Sequence, residues 1–157
     1  MQKTATKPSA QDLYETDFYA WTQEQARLLR DRRWADLDLE NLVDEVESLG
    51  RSDKRQIESR LEVLIAHLLK WKYQPGGRGA SWTATIFQQR QRIIRLVQES
   101  PSLREFQRQS VSGTYQAARL FAAKETGIAF GLFPDECPFT PEQVLDQDFF
   151  PEDRTIE

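Results

Sequence analysis

Apolar residues recur at helical spacing along most of this chain, and nowhere does a period-two alternation persist long enough to make a strand. The clearest run is residues 37–73. Leu39, Leu42, Val43, Val46 and Leu49 fall within about a third of a helical circumference, which predicts a stripe facing a core. Asp38 precedes them as a capping type, and Gly50 reads as a C-terminal stop. A new helix is expected after Ser52, with Ile57, Leu61, Leu64, Ile65 and Leu68 on one face and Pro75-Gly76 at its end.

The flanking elements follow from the same rules. A first helix is expected to open at Thr16 or Asp17 and to end near Arg33, with Phe18, Trp21, Leu28 and Leu29 as buried candidates. A fourth runs from Trp82 to Glu99 behind a Ser81 cap. A fifth starts at Ser100-Pro101-Ser102 and closes at Gly127. Residues 110–114 combine weak helix formers, and glycine alone costs about 1 kcal/mol relative to alanine. One helix or two satisfies the pattern over 101–126; a single helix is the reading adopted. Thr140 and Gln143 form a capping box with Pro141 at the first helical position, and Phe139 and Val144 stand where a hydrophobic staple places them. That predicts a brief helix from Pro141 to Gln147.

The predicted fold class is therefore all-α, an antiparallel helical bundle with about five main helices and a short C-terminal helical extension. Residues 1–12 read as a flexible N-terminal tail, 13–150 as a single helical domain and 151–157 as a C-terminal tail.

Composition narrows the function classes. The chain has 157 residues, 39% hydrophobic, with four tryptophans, four tyrosines and nine phenylalanines, enough to bury a core. Its net charge of −4 argues against a general nucleic-acid coat but leaves room for a local basic patch. Cys137 is the sole cysteine, so no intrachain disulfide forms, as suits a reducing compartment. The polar N-terminus carries no signal core, and no apolar run approaches the roughly 20 residues that span a bilayer. A soluble, cytoplasmic protein is expected.

Charge is segregated. Residues 36–50 hold six acids and no Lys or Arg; residues 76–98 hold four arginines and no acid. Glu40, Asp44 and Glu47 form one stripe, either a solvated face or a carboxylate row for a metal or a basic partner. Arg90 falls inside an apolar arc made by Ile86, Phe87, Ile93, Ile94 and Val97. A guanidinium there needs a carboxylate or carbonyl partner, and Asp44 or Glu47 is the expected one.

Arg60, His67 and Trp71 lie along one flank of the third helix, with Lys70 further round. Arg60 and His67 differ by only about 20° over two turns. That spacing resembles the HEPN class of helical ribonucleases, where the histidine transfers a proton and the arginine holds phosphate. The competing reading is a histidine hydrogen-bonded at the core edge. The GGRG loop before Ser81 lacks the lysine of a P-loop and reads as a flexible connector. One Cys and one His at distant positions make no zinc site, and no cofactor is expected.

Five blocks in order resemble a bacterial family called domain of unknown function 29, common in cyanobacteria. They are LYETDFYAW (13–21), LDLENLVDEVESLG (37–50), HLLKWKYQP (67–75), SWTATIFQQR (81–90) and ETGIAFGLFPDECPFTPEQVLD (125–146). The resemblance implies an all-helical cytoplasmic domain and carries over no functional residues.

The leading reading is a non-catalytic module that binds a protein partner or assembles with itself, with Arg90, Asp44, Glu47, Lys70, Trp71 and Trp82 as candidate contact residues. An RNA- or phosphate-ester-processing enzyme using Arg60 and His67 is the alternative. A metal-dependent hydrolase with an acidic site on helices two and three is a third, although Glu58 and Glu62 face away from His67. The sequence leaves open whether the protein is an enzyme.

Overall fold

Ser9 and Asp12 exchange bonds in a capping box that starts the first helix, α1 (Ala10–Thr16), in a segment the sequence pattern assigns to the tail. The computed structural model describes residues 9–152, so of the expected tails at 1–12 and 151–157 the parts 1–8 and 153–157 lie outside the described residues. Asp17 then caps α2 (Phe18–Arg30) by accepting from the Ala20 amide. α2 stops in a Schellman turn. Arg33 N donates to the Leu28 carbonyl and Arg32 N to that of Leu29, with Arg32 itself at a φ of 55°. A 3-10 turn, Trp34–Asp36, leads into α3 (Leu39–Tyr73).

α3 is one helix of 35 residues where the sequence suggests two. Glycine ends a helix by taking a left-handed φ, and among the described glycines only Gly127 does so, at 73°. Gly50 stays helical because the residues after it, Arg-Ser-Asp-Lys-Arg-Gln, sustain a helix; Glu47 and Arg51 pair across it at 3.5 Å. Nothing lies within 4 Å of where a Gly50 Cβ would stand. Gly50→Ala is therefore expected to raise stability by about 1 kcal/mol, read as a higher thermal midpoint.

α4 (Ala80–Glu99) begins at Gly79 without a side-chain cap, so Ser81 is not the expected N-cap. The stretch read as one fifth helix is two, α5 (Arg104–Gly113) and α6 (Tyr115–Thr126). The weak formers at 110–114 do break it: the Thr114 hydroxyl turns back onto the Ser110 carbonyl at 2.8 Å. Gly127 closes α6 as expected. The capping box at Thr140 and Gln143 starts α7 (Pro141–Leu145), and Phe139 and Val144 are both buried. The described residues are all-α and contain no strand.

These residues divide into two compact units, the first ending at Arg51 and the second beginning at Ser52. In the first, Tyr14, Phe18 and Trp21 cluster with ring centroids 5.0–5.8 Å apart. Trp21 Nε1 donates to the Asp38 carboxylate, Gln25 accepts from the Asp38 amide, and the Tyr14 hydroxyl donates to Glu45 at 2.6 Å. Trp21 and Leu28 are buried as predicted, but Phe18 and Leu29 are exposed.

In the second unit, Leu64, Ile65, Ala66, Leu68 and Leu69 are all fully buried, so this part of α3 is buried over more than half of its circumference and forms the central helix. Ile86 and Ile93 of α4, Val111 of α5, and Tyr115, Ala118 and Ala122 of α6 pack into the same core with Phe133, Phe139 and Val144. Contacts give the direction of each neighbour. Lys70 meets Trp82 while Arg60 meets Gln89, so α4 runs antiparallel to α3. Lys54, His67 and Lys70 meet Phe106, Phe121 and Glu125, so α5 and α6 run parallel to it.

Candidate functional site

Arg90 shows how far a helical wheel reaches. It is buried, as its position in the apolar arc requires, with 1% of its surface exposed. Its partners are backbone carbonyls rather than Asp44 or Glu47. Nε donates to the Val144 carbonyl and Nη2 to that of Phe149, both at 2.8 Å, with longer contacts to Gln143 and Gln147. Burial lowers the guanidinium's pKa, and nearby Asp146 opposes the shift. The side chain anchors α7 and the turn beyond it to α4. Asp44 is exposed, and Glu47 is exposed and paired with Arg51.

On the flank of α3, Arg60 lines two hollows shared with α4, and His67 lines neither of them. His67 Nδ1 lies 2.8 Å from the Val63 carbonyl, which can only accept, so the neutral ring carries its proton on Nδ1. The ring lies 6.5 Å from that of Phe121 and is half-buried. Burial is the main cause pushing its pKa below 6.5; Lys70 adds to the shift, while Val63 and Glu125 resist it. The unfolded chain then binds the proton more readily, so His67 favours folding least at low pH. Stability from this group is fully present above pH 6.5 and falls as the pH drops through the depressed midpoint. An imidazole titration by NMR is expected to give a midpoint under 6.5.

Lys70, named above as a candidate contact residue, is buried with 5% exposure. Its ammonium sits 4.6 Å from the Trp82 ring centroid and 3.7 Å from Glu125. Trp71 receives the Arg78 guanidinium over its ring, and its carbonyl accepts from Arg78 Nε at 2.8 Å. The GGRG loop is thereby tied to the end of α3 and is more than a loose connector. Gly77 is required there: a Cβ would stand 2.5 Å from Trp82 Cη2. Lys70, Trp71 and Trp82 thus share one packed cluster.

Three features were missed in the sequence. Arg119 is a second buried arginine, donating to the Phe133 carbonyl at 2.8 Å, meeting Asp135 at 3.0 Å and lying 4.0 Å over the Phe130 ring. Its signal was the one that marked Arg90, a charge among Ala118, Phe121 and Ala122. The second feature is an apolar groove of about 400 Å³ in the first unit, between α2 and the opening of α3, lined by Trp21, Leu29, Leu42, Val46 and Leu49 among others. The predicted core stripe is largely bare: Leu39, Val43, Val46 and Leu49 are 47–70% exposed. The third is an arginine-lined groove along α3 and α4 that gathers Arg55, Arg60, Arg92 and Arg95.

Among the described residues, no three His, Cys, Asp or Glu side chains lie together as metal ligands, and no helix is long and apolar enough to cross a membrane. Cys137 is half-buried, and burial raises its thiol pKa, which disfavours the reactive thiolate.

The family model described as domain of unknown function DUF29 matches residues 13–150, from α1 to the turn that Arg90 holds. The chain belongs to the DUF29 family. No curated protein and no solved structure matches it. Within this DUF29 domain, the two arginines that fix the C-terminal segment, Arg90 and Arg119, both fall inside the matched span.

Proposed function

We propose that this DUF29 chain is a non-catalytic helical module that binds a partner protein through the apolar groove of its first unit. The observation that carries the reading is the stripe Leu39, Val43, Val46 and Leu49. It has the helical spacing of a buried face, yet each residue is about half or more exposed. Phe18 and Leu29 extend it from α2. A row of apolar anchors one helical turn apart beside a groove suits an amphipathic helix laid into it.

Charge defines the partner further. On the α3 wheel Glu40, Asp44 and Glu47 flank the stripe on one side, and Asp38 and Glu45 flank it on the other. The fitting ligand is therefore a helix whose apolar face is bordered by Lys or Arg. Self-assembly through this face alone would set one carboxylate row against its copy, since a two-fold interface pairs a surface with itself.

A photo-crosslinking residue at Tyr19, which is 74% exposed, tests this in cells. The expected product is a crosslink to an amphipathic, basic-flanked helix of another protein. It should vanish in Val46→Asp/Leu49→Asp, whose thermal midpoint should stay near that of wild type because both side chains are exposed. A crosslink that survives the double substitution would overturn the proposal. So would a homodimer seen by sedimentation that the same substitution dissolves.

A further inference from the structure

We infer that the groove between α3 and α4 binds the phosphodiester backbone of a single-stranded nucleic acid. This is independent of the protein-docking groove, which lies in the other unit and is apolar and acid-flanked. Two adjoining hollows of about 530 and 420 Å³ share Arg60 and Gln56 in their walls. Arg55 contributes to the first, and Arg92 and Arg95 to the second. No carboxylate lines either one.

Arg60 is the pivot. It is half-buried, and its bond to Gln89 Oε1 is long at 3.3 Å. Its Nε is buried and finds no acceptor among the described residues. Arg92 stands close enough to oppose the charge on Arg60. Like charges gathered in a groove with no internal acid are held at a cost that an entering anion relieves. Elsewhere in this unit the buried arginines also hold strong bonds: Arg90 and Arg119 each reach a backbone carbonyl at 2.8 Å, although Arg119 Nε, like that of Arg60, finds no acceptor among the described residues. Arg55, Arg92 and Arg95 are exposed and carry their charge at the mouth of the groove.

The other wall residues select among anions. Ser52, Ser59, Gln88 and Gln91 add neutral donors, the kind that complement Arg in gripping phosphate oxygens. Phe87 lines the second hollow and is 55% exposed, an aromatic surface on which a base can stack. Guanidinium forks, amides, hydroxyls and one exposed ring match a strand carrying phosphates and bases better than an acidic peptide, which has no use for the ring. His67 lines neither hollow and its Nδ1 is bonded to Val63, so binding without strand cleavage is the inferred activity.

Fluorescence anisotropy with labelled single-stranded RNA and DNA of mixed sequence tests the inference on the full chain. Binding is expected at low salt, with log K falling against log salt at a slope of about −2 to −3 for three to four contacted phosphates. Arg92→Gln/Arg95→Gln should weaken binding and flatten that slope. Phe87→Ala should weaken it by about tenfold and leave the slope unchanged, because stacking is not ionic. All three side chains are exposed, and circular dichroism would confirm that each variant folds. RNA tighter than DNA, or the reverse, would identify the strand read. The inference is overturned if neither strand binds at low salt or if the double variant binds as wild type does. Competition by polyglutamate or tripolyphosphate as effective as that of an unlabelled strand would overturn it too.

Discussion

Arg90→Ala is expected to lower the free energy of unfolding by about 3–4 kcal/mol in urea titration, among the largest effects of any single substitution here. Two bonds from a charged donor at 2.8 Å are lost, each worth about 1.5–3 kcal/mol net of exchange with water. The contacts at 3.4 and 3.5 Å to Gln143 and Gln147 add little. Arg90→Met separates the causes. It keeps most of the packed stem but has no donor, so it should fall close to Arg90→Ala if the bonds dominate. Arg90→Lys should fall between, since an ammonium is a point charge and does not span carbonyls as a planar fork does. A loss below about 1 kcal/mol for alanine would mean that the cradle contributes nothing net.

Arg119→Ala should cost about 2–3 kcal/mol, and the reasons for the smaller figure are visible. Only the Phe133 carbonyl is a buried partner at 2.8 Å. The Asp135 side chain is 96% exposed, so that ion pair adds little in water. The Phe130 ring beneath the guanidinium contributes about 0.5–1 kcal/mol, because the ring itself is 42% exposed. Phe133 itself is buried in the core, so the loss should also loosen the 130–136 segment. Limited proteolysis of the variant should cut there first, ahead of global unfolding. Cutting no faster than in wild type would refute an anchoring role for Arg119.

How much of this was legible beforehand depends on whether the signal is local. Helical periodicity is local, and so are the capping box at Thr140 and the left-handed glycine at Gly127, and the structure agrees with the sequence at each. Gly50 misleads because the same residue type serves as a stop or is tolerated, and the residues after it decide which. The stripe at Leu39–Leu49 was recognised as amphipathic, but periodicity does not reveal whether another element covers it. Arg90 was placed in the interior by its wheel position, while its partners left no trace. Every residue carries a carbonyl, so a guanidinium satisfied by the backbone cannot be matched to a partner by composition. The arginine groove needed the pairing of α3 with α4, which brings Arg55 and Arg60 beside Arg92 and Arg95 from more than thirty positions away.

The carbonyl cradle around Arg90 also sets what kinds of change the C-terminal segment can absorb. A clamp on side chains enforces composition, whereas a clamp on the main chain enforces path. Exposed positions between the gripped carbonyls, such as Asp148, are free to drift without loosening the hold. A one-residue insertion or deletion between Val144 and Phe149 is different. It shifts one gripped oxygen against the other by up to about 3.5 Å, more than a hydrogen bond can follow. Descendants of this chain should therefore vary in spelling over these residues while keeping their length.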